Sequence, residues 1–297
     1  MSVEPSGTPR DVEVNGITLR VVTWGEAAGP ERTALLVHGI TANSQAWSAF
    51  GPTLAARGWS AIAPDLRGRG RSAKPPHGYG IPFHVNDLLG LCDALELPTV
   101  HVVGHSLGAF IGLYLAALHP HRVGKLVLVD GGGTLPPDTL EAIGPALARL
   151  GQTYPSLDAY LAAMRATTAM PWDAYAEGYY RYDAEVGADD TAMSSVPKSA
   201  IAEETATNWA IRTDALPAFV KAPTLIVHAT VGLLAPDRGL ILPREEAERL
   251  HGTIPGSRFA EVPNTNHYTI VTADAFAREV EAFLTDGRGL DATERAR

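Results

Sequence analysis

Val102-Val103-Gly104-His105-Ser106-Leu107-Gly108-Ala109 is the stretch on which the reading of the fold turns. A short β-branched run over 100–103 ends in a Gly-x-Ser-x-Gly pentapeptide, and an apolar helical pattern over 107–118 follows at once. A serine between strand and helix, with glycines two positions to either side, is the pattern of a nucleophile elbow. Such a turn holds the serine in a strained backbone conformation, and only small neighbours leave room for it. The elbow lifts the hydroxyl clear of the backbone and sets it over the helix N-terminus, where the dipole favours developing negative charge.

Working back from that stretch, Asn15-Gly16 joins two short apolar runs, over 12–14 and 17–23, and reads as a hairpin turn. Continuous apolar runs at 34–37 and 60–63 read as strands buried on both faces. Helices are expected over 44–57 and 83–95. Working forward, 125–129 reads as the sixth strand, and the alternation stops after Gly131-Gly132-Gly133. Residues 134–216 read as mainly helical, with no clear strand. The pattern resumes with strands at 224–227 and 258–262, a helix after Pro243 and a last helix over 273–284. Strands alternating with helices imply a parallel, doubly wound sheet. The expected architecture is therefore an α/β fold with a mostly parallel sheet and a helical cap inserted after the sixth strand. Residues 1–133 and 217–297 form the core in this reading, and 134–216 the cap. The polar tail 286–297 is expected to fray.

The length of 297 residues suits a single α/β domain with an insertion. Hydrophobic residues make up 45% and charged residues 19%, enough for a large core. The net charge of −9 argues against nucleic acid or an anionic membrane surface as the main partner. Cys92 is the single cysteine, which excludes an intrachain disulfide, and its apolar surroundings read as those of a buried structural thiol. No secretory signal is read at the N-terminus, nor any apolar run long enough to span a membrane. A cytoplasmic protein is expected, and the sequence is compatible with a homodimer.

With Ser106 at such an elbow, the chain resembles the α/β-hydrolase family, over about residues 10–285. His38-Gly39, directly after a strand, stands where that family builds half of its oxyanion hole. The resemblance implies that the backbone N–H groups of Ile40 and Leu107 hold the oxyanion. Asp65-Leu66-Arg67-Gly68-Arg69-Gly70-Arg71-Ser72 matches the family's turn after the following strand, and is read as structural rather than phosphate-binding. The family's base comes last in the chain, on the loop after the final strand. That loop is Pro263-Asn264-Thr265-Asn266-His267-Tyr268, so His267 is the candidate base. A free serine hydroxyl is a poor nucleophile near neutral pH and needs one within hydrogen-bond reach.

Two carboxylates compete to hold the imidazole in the right tautomer. Most of the family carries its acid after the strand that is here 224–227, four residues before a proline such as Pro243. That position is Gly239, which has no carboxylate, and Asp237 lies two residues earlier. Asp130 instead follows the strand 125–129, the strand end from which haloalkane dehalogenases and zearalenone lactonases take their acid. Asp130 is preferred, with Asp237 kept as the alternative.

Six of the nine tyrosines, together with Trp172 and Trp209, fall within 134–216. Part of that set must form the segment's own core. Trp172, Tyr179 and Tyr180, with His228 at a strand end, are the candidates for an apolar, aromatic substrate pocket. The resemblance implies hydrolysis of a small hydrophobic ester or lactone through an acyl-enzyme, with no metal or organic cofactor. It tilts towards lactonases similar to the zearalenone-degrading enzymes. Carbon–carbon hydrolases, cofactor-free haloperoxidases and ligand-binding receptors with a slow triad share the fold and stand as alternatives. A serine at the elbow argues against dehalogenases and epoxide hydrolases, whose nucleophile there is aspartate.

Overall fold

The computed structural model describes residues 6–211 and 213–286. Apart from Asp286, the tail expected to fray lies outside the described residues, as does the side chain of Trp209. The chain opens with strands β1 (Thr8–Val14), β2 (Ile17–Trp24), β3 (Thr33–Val37) and β4 (Ser60–Pro64), with helix α1 (Phe50–Ala55) between the last two. Helix α2 (Ile81–Ala94), strand β5 (Val100–His105), helix α3 (Leu107–Leu118) and strand β6 (Val123–Val129) follow. After an excursion described below come β9 (Thr224–Ala229), α9 (Arg244–Thr253), β10 (Arg258–Val262) and α10 (Asp274–Thr285).

Eight strands form one sheet in the order β1-β2-β4-β3-β5-β6-β9-β10. All pairs from β4 to β10 are parallel, while β2 is antiparallel to both β1 and β4. Asn15 and Gly16 both take positive φ, 50° and 77°, as the tight β1–β2 turn demands. Every residue of β3, β4, β5, β6 and β9 is buried, because both faces of the sheet are covered. Alternate side chains feed two cores. Leu35, Val102, Leu126 and Ile226 pack with α2, α3 and α9, and Leu36, Val103, Val127 and Val227 pack with Phe50 of α1 and Phe276 of α10.

Between β6 and β9 the chain leaves the sheet. It forms helices α4 (Thr139–Ala142), α5 (Gly144–Ala148), α6 (Leu157–Thr167) and α7 (Ala174–Asp183), the hairpin β7 (Ala184–Val186) and β8 (Ala192–Ser194), then α8 (Lys198–Trp209). Tyr160, Leu161, Met164 and Tyr180, with Tyr154 and Trp172 against them, make a small core of its own. The hairpin is a departure from the sequence expectation; three-residue strands are too short to leave a periodic signal. The helix expected over 44–57 is also divided, into a 3-10 turn at Ser44–Trp47 and α1. Tertiary contacts win there: the Ser44 N–H donates to Asp65 Oδ1 at 2.7 Å, and Tyr175 Oη donates to the Ala46 carbonyl at 2.9 Å. Among the described residues no helix is long and apolar enough to cross a membrane.

The topology sets the site. Ser106, Asp130 and His267 follow β5, β6 and β10 at the carboxyl ends of the parallel strands, where open α/β sheets bind ligands.

Candidate active site

Ser106 sits at φ 56° and ψ −118°, a backbone conformation that L-residues rarely adopt. The two glycines of the pentapeptide are steric requirements. A Cβ on Gly104 would lie 2.1 Å from the Gly108 carbonyl oxygen, and one on Gly108 would lie 2.1 Å from that of Val37. The elbow is fastened to the neighbouring strand by the Ser106 N–H, which donates to the Val129 carbonyl at 3.0 Å.

Asp130 is buried one residue beyond β6, with φ 45°. Its N–H donates to the Val227 carbonyl at 2.7 Å, and its Oδ1 accepts from the Ala229 N–H at 3.1 Å. That leaves Oδ2 for His267 Nδ1, at 2.7 Å. With Nδ1–H donated to the carboxylate, Nε2 carries the free lone pair. His267 is also held by its backbone. His105 Nε2 donates to the His267 carbonyl at 2.8 Å, and the two rings lie 4.5 Å apart. Burial, then the adjacent His267, holds the His105 imidazole well below its ordinary pKa, so it serves as a neutral donor.

Ser106 and His267 line the same cavity, of about 590 Å³. No hydrogen bond joins Ser106 Oγ to His267. In unliganded sites such contacts are commonly long and tighten in the substrate complex. Asp237 is exposed, and no hydrogen bond or ion pair joins it to His267. The carboxylate at the imidazole is Asp130.

Ile40 and Leu107 line the cavity beside Ser106. Leu107 opens α3, where a helix has no internal acceptor for its N–H. The loop carrying Ile40 is fixed by three successive carbonyls. His38 Nδ1 donates to Gly39 O at 2.8 Å, Arg69 Nε to Ile40 O at 3.0 Å, and Arg149 Nη2 to Thr41 O at 2.6 Å. The Leu66 N–H donates to His38 Nε2 at 3.0 Å, which requires the His38 proton on Nδ1. Each arginine is neutralised by a buried carboxylate of the 134–216 segment. Arg69 pairs with Glu204, which also meets His84 Nε2 at 3.0 Å, and Arg149 pairs with Asp183 at 3.2 Å. Arg67 pairs in the same way with Asp87 at 2.5 Å. The Asp65–Ser72 loop is thus a structural hub, its buried arginines spent on internal partners.

Those buried groups make stability depend on acidity. Burial lowers the His38 pKa from 6.5 to about 3. Burial alone would raise that of Glu204, but Arg69 and His84 outweigh it and bring it to about 2 from 4.5. Both groups bind protons more readily when unfolded, so their contribution is present above the unfolded pKa and lost as pH falls towards the folded one. Thermal denaturation is expected to show a Tm that falls from pH 6.5 downward, more steeply below 4.5. A Tm rising across that range would contradict the assignment.

Of the residues expected at the pocket from sequence, Tyr179 and Tyr180 line the cavity, joined by Met170 and Tyr175. Two do not. Trp172 stacks on Tyr180 within the segment's own core, with rings 5.8 Å apart. His228 points to the α9 side of the sheet, where its Nδ1 meets the Leu242 carbonyl at 2.9 Å. Arg149, at 4% exposure on the cavity wall, carries no mark in the sequence of its place there. Nothing local distinguishes it from a surface arginine. Among the described residues no group of three or more His, Cys, Asp or Glu side chains is arranged to hold a metal ion.

The α/β-hydrolase fold family model matches residues 34–274, and the chain belongs to that family. It is a hydrolase of the α/β fold. It is 29% identical over 262 residues to a putative carbamate hydrolase RutD of Caulobacter vibrioides, covering 88% of this chain and 92% of the relative. It is 31% identical over 264 residues to the 2-(acetamidomethylene)succinate hydrolase of Mesorhizobium japonicum, covering 87% and 88%. Among solved structures, E-2-(acetamidomethylene)succinate hydrolase superposes with a TM-score of 0.82 at 24% identity, over 93% of this chain and 98% of the other. The enol-lactonase of Burkholderia xenovorans superposes with a TM-score of 0.69 at 22% identity, over 93% and 100%. At these identities the two structures speak for the fold alone.

Proposed function

We propose that the protein cleaves a carboxylic ester or lactone of a small hydrophobic, aromatic molecule through an acyl-enzyme at Ser106. The observation that carries this reading is the 2.7 Å contact between His267 Nδ1 and Asp130, beside a serine on a strained elbow in the same cavity. His267 Nε2 takes the proton of Ser106 Oγ as that oxygen attacks the carbonyl carbon. The N–H groups of Ile40 and Leu107 hold the resulting oxyanion. Collapse of the tetrahedral intermediate expels the alkoxide or phenoxide, which takes the proton from His267. A water then gives its proton to His267 and attacks the acyl carbon, releasing the acid and restoring Ser106. The 134–216 segment acts as a cap in this reading, and its aromatic side chains favour an apolar acyl or alcohol group.

A second reading, cleavage of an acyl C–N bond, is favoured by the carbamate and acetamidomethylene-succinate hydrolases among the relatives. It uses the same triad and differs in the leaving group. A panel of aryl esters, aliphatic and macrocyclic lactones, aryl carbamates, N-acyl enamines and vinylogous diketones separates the readings. The highest kcat/KM is expected on an ester or lactone. A preference for carbamates or N-acyl enamines would favour the second reading, and one for diketones would mean carbon–carbon hydrolysis. Tight binding with no turnover on any member would mean a receptor.

A further inference from the structure

We propose that Glu204, carried by α8 of the 134–216 segment, is a positioning residue for the oxyanion hole, acting through Arg69 on the backbone of Ile40. The inference rests on the reading of Ser106 as nucleophile and of the Ile40 N–H as oxyanion donor.

A trans peptide is a rigid plane whose C=O and N–H point in opposite directions. The plane that carries the Ile40 N–H also carries the Gly39 carbonyl, which accepts from His38 Nδ1 at 2.8 Å and from the Ala42 N–H at 3.1 Å. The next plane carries the Ile40 carbonyl, held by Arg69 Nε at 3.0 Å. Fixing two successive planes fixes φ and ψ of Ile40, and with them the direction of its N–H.

Arg69 cannot hold that carbonyl without being held itself. It is fully buried, Nη1 donates to the Arg67 carbonyl at 3.0 Å, and Nη2 donates to Glu204 Oε2. Glu204 is equally buried, and its other oxygen meets His84 Nε2 at 3.0 Å. An uncompensated guanidinium at this depth would be driven to seek water or another acceptor. The carboxylate therefore keeps Arg69 aimed at Ile40. A parallel linkage runs from Asp183 through Arg149 to the Thr41 carbonyl, at 3.2 and 2.6 Å. The segment above the site thus sets the direction of a donor on the sheet below. Its contribution belongs to the transition state, because the oxyanion exists only there.

Glu203 supplies the control. It is the neighbouring carboxylate on α8 and also fastens that helix to the core, accepting from the Gly78 and Tyr79 N–H groups at 2.8 and 3.2 Å. Among the described residues it hydrogen-bonds neither Arg69 nor the 39–41 loop, and its neighbours lie one step further from Ile40, through Arg67. Glu204→Gln and Glu203→Gln are compared on an aryl ester and on its thionoester, whose C=S is a poor acceptor and draws little on the hole. Glu204→Gln is expected to lower kcat on the oxygen ester by about tenfold or more, with KM and thionoester turnover changed by less than about threefold. Glu203→Gln is expected to leave kcat within about twofold.

Equal losses in the two variants, or equal losses on the two esters, would overturn the proposal in favour of simple fastening. So would a folded Glu204→Gln variant with unchanged kcat. If that variant does not fold, Asp183→Asn carries the same comparison through Arg149 and Thr41. Failure of both to fold would also overturn it, since their role would then be survival of the fold. A Ser106→Ala variant that keeps its turnover would sink the underlying acyl-enzyme reading instead.

Discussion

Ser106→Ala is expected to lower kcat on the preferred ester or lactone by on the order of 10⁶-fold, leaving Tm within about 2 °C. The size follows from the way a triad works. Without the oxygen there is nothing for His267 to activate, and the remaining donors and the cavity supply only what positioning and oxyanion stabilisation give on their own. The small thermal effect follows from the structure. Ser106 is anchored by its backbone N–H to Val129, and its side-chain oxygen has no protein partner among the described residues. Alanine inherits the strained φ of 56° but adds no atom. A loss of activity accompanied by a large fall in Tm would mean that the variant fails by unfolding. A loss of less than about 100-fold would mean that another group carries the chemistry.

Asp130→Asn should be nearly as severe, at about 10⁴-fold in kcat, while Asp237→Asn leaves kcat within about twofold. An amide at 130 can still accept from the Ala229 N–H through its oxygen, so the end of β6 keeps its anchor. What it presents to His267 Nδ1 is then an NH2 donor, which forces the imidazole proton onto Nε2. That is the tautomer that cannot receive the serine proton. The defect should appear in kcat with KM little changed, because the lost interaction is made in the transition state. If Asp237→Asn were the damaging change, the loop at 230–239 would have to reach the imidazole in the working enzyme, and the assignment of the acid would fall.

Much of this site is legible in the sequence because its determinants are local. The elbow is written in eight consecutive residues, since the clash that demands glycine at 104 and 108 is with backbone only a few positions away or on the next strand. The histidine follows from being placed on the loop after the last strand. The choice between Asp130 and Asp237 is not local. It depends on β6 lying between β5 and β9, so that one oxygen of Asp130 is taken by the end of β9 and the other is left for a histidine 137 positions away.

The side of the sheet that His228 faces is hidden in the sequence for a related reason. A strand buried on both faces shows no alternation, so nothing in 224–229 indicates which side of the sheet its last polar residue faces. The buried pairs are least visible of all. Arg69 and Glu204 stand 135 positions apart, and each reads alone as an ordinary surface charge. Only the fold discloses that both are buried and spent on one another.

An activated nucleophile at Ser106 reacts with an aryl fluorophosphonate, and peptide mass analysis locates the adduct. The phosphorus accepts Ser106 Oγ, fluoride leaves, and a stable adduct remains in the place of the acyl-enzyme. One equivalent of label is expected on the peptide containing Ser106, with labelling slowed by about 10³-fold or more in Asp130→Asn. Label on any other residue, or an enzyme that turns over substrate yet resists the reagent, would contradict that role for Ser106.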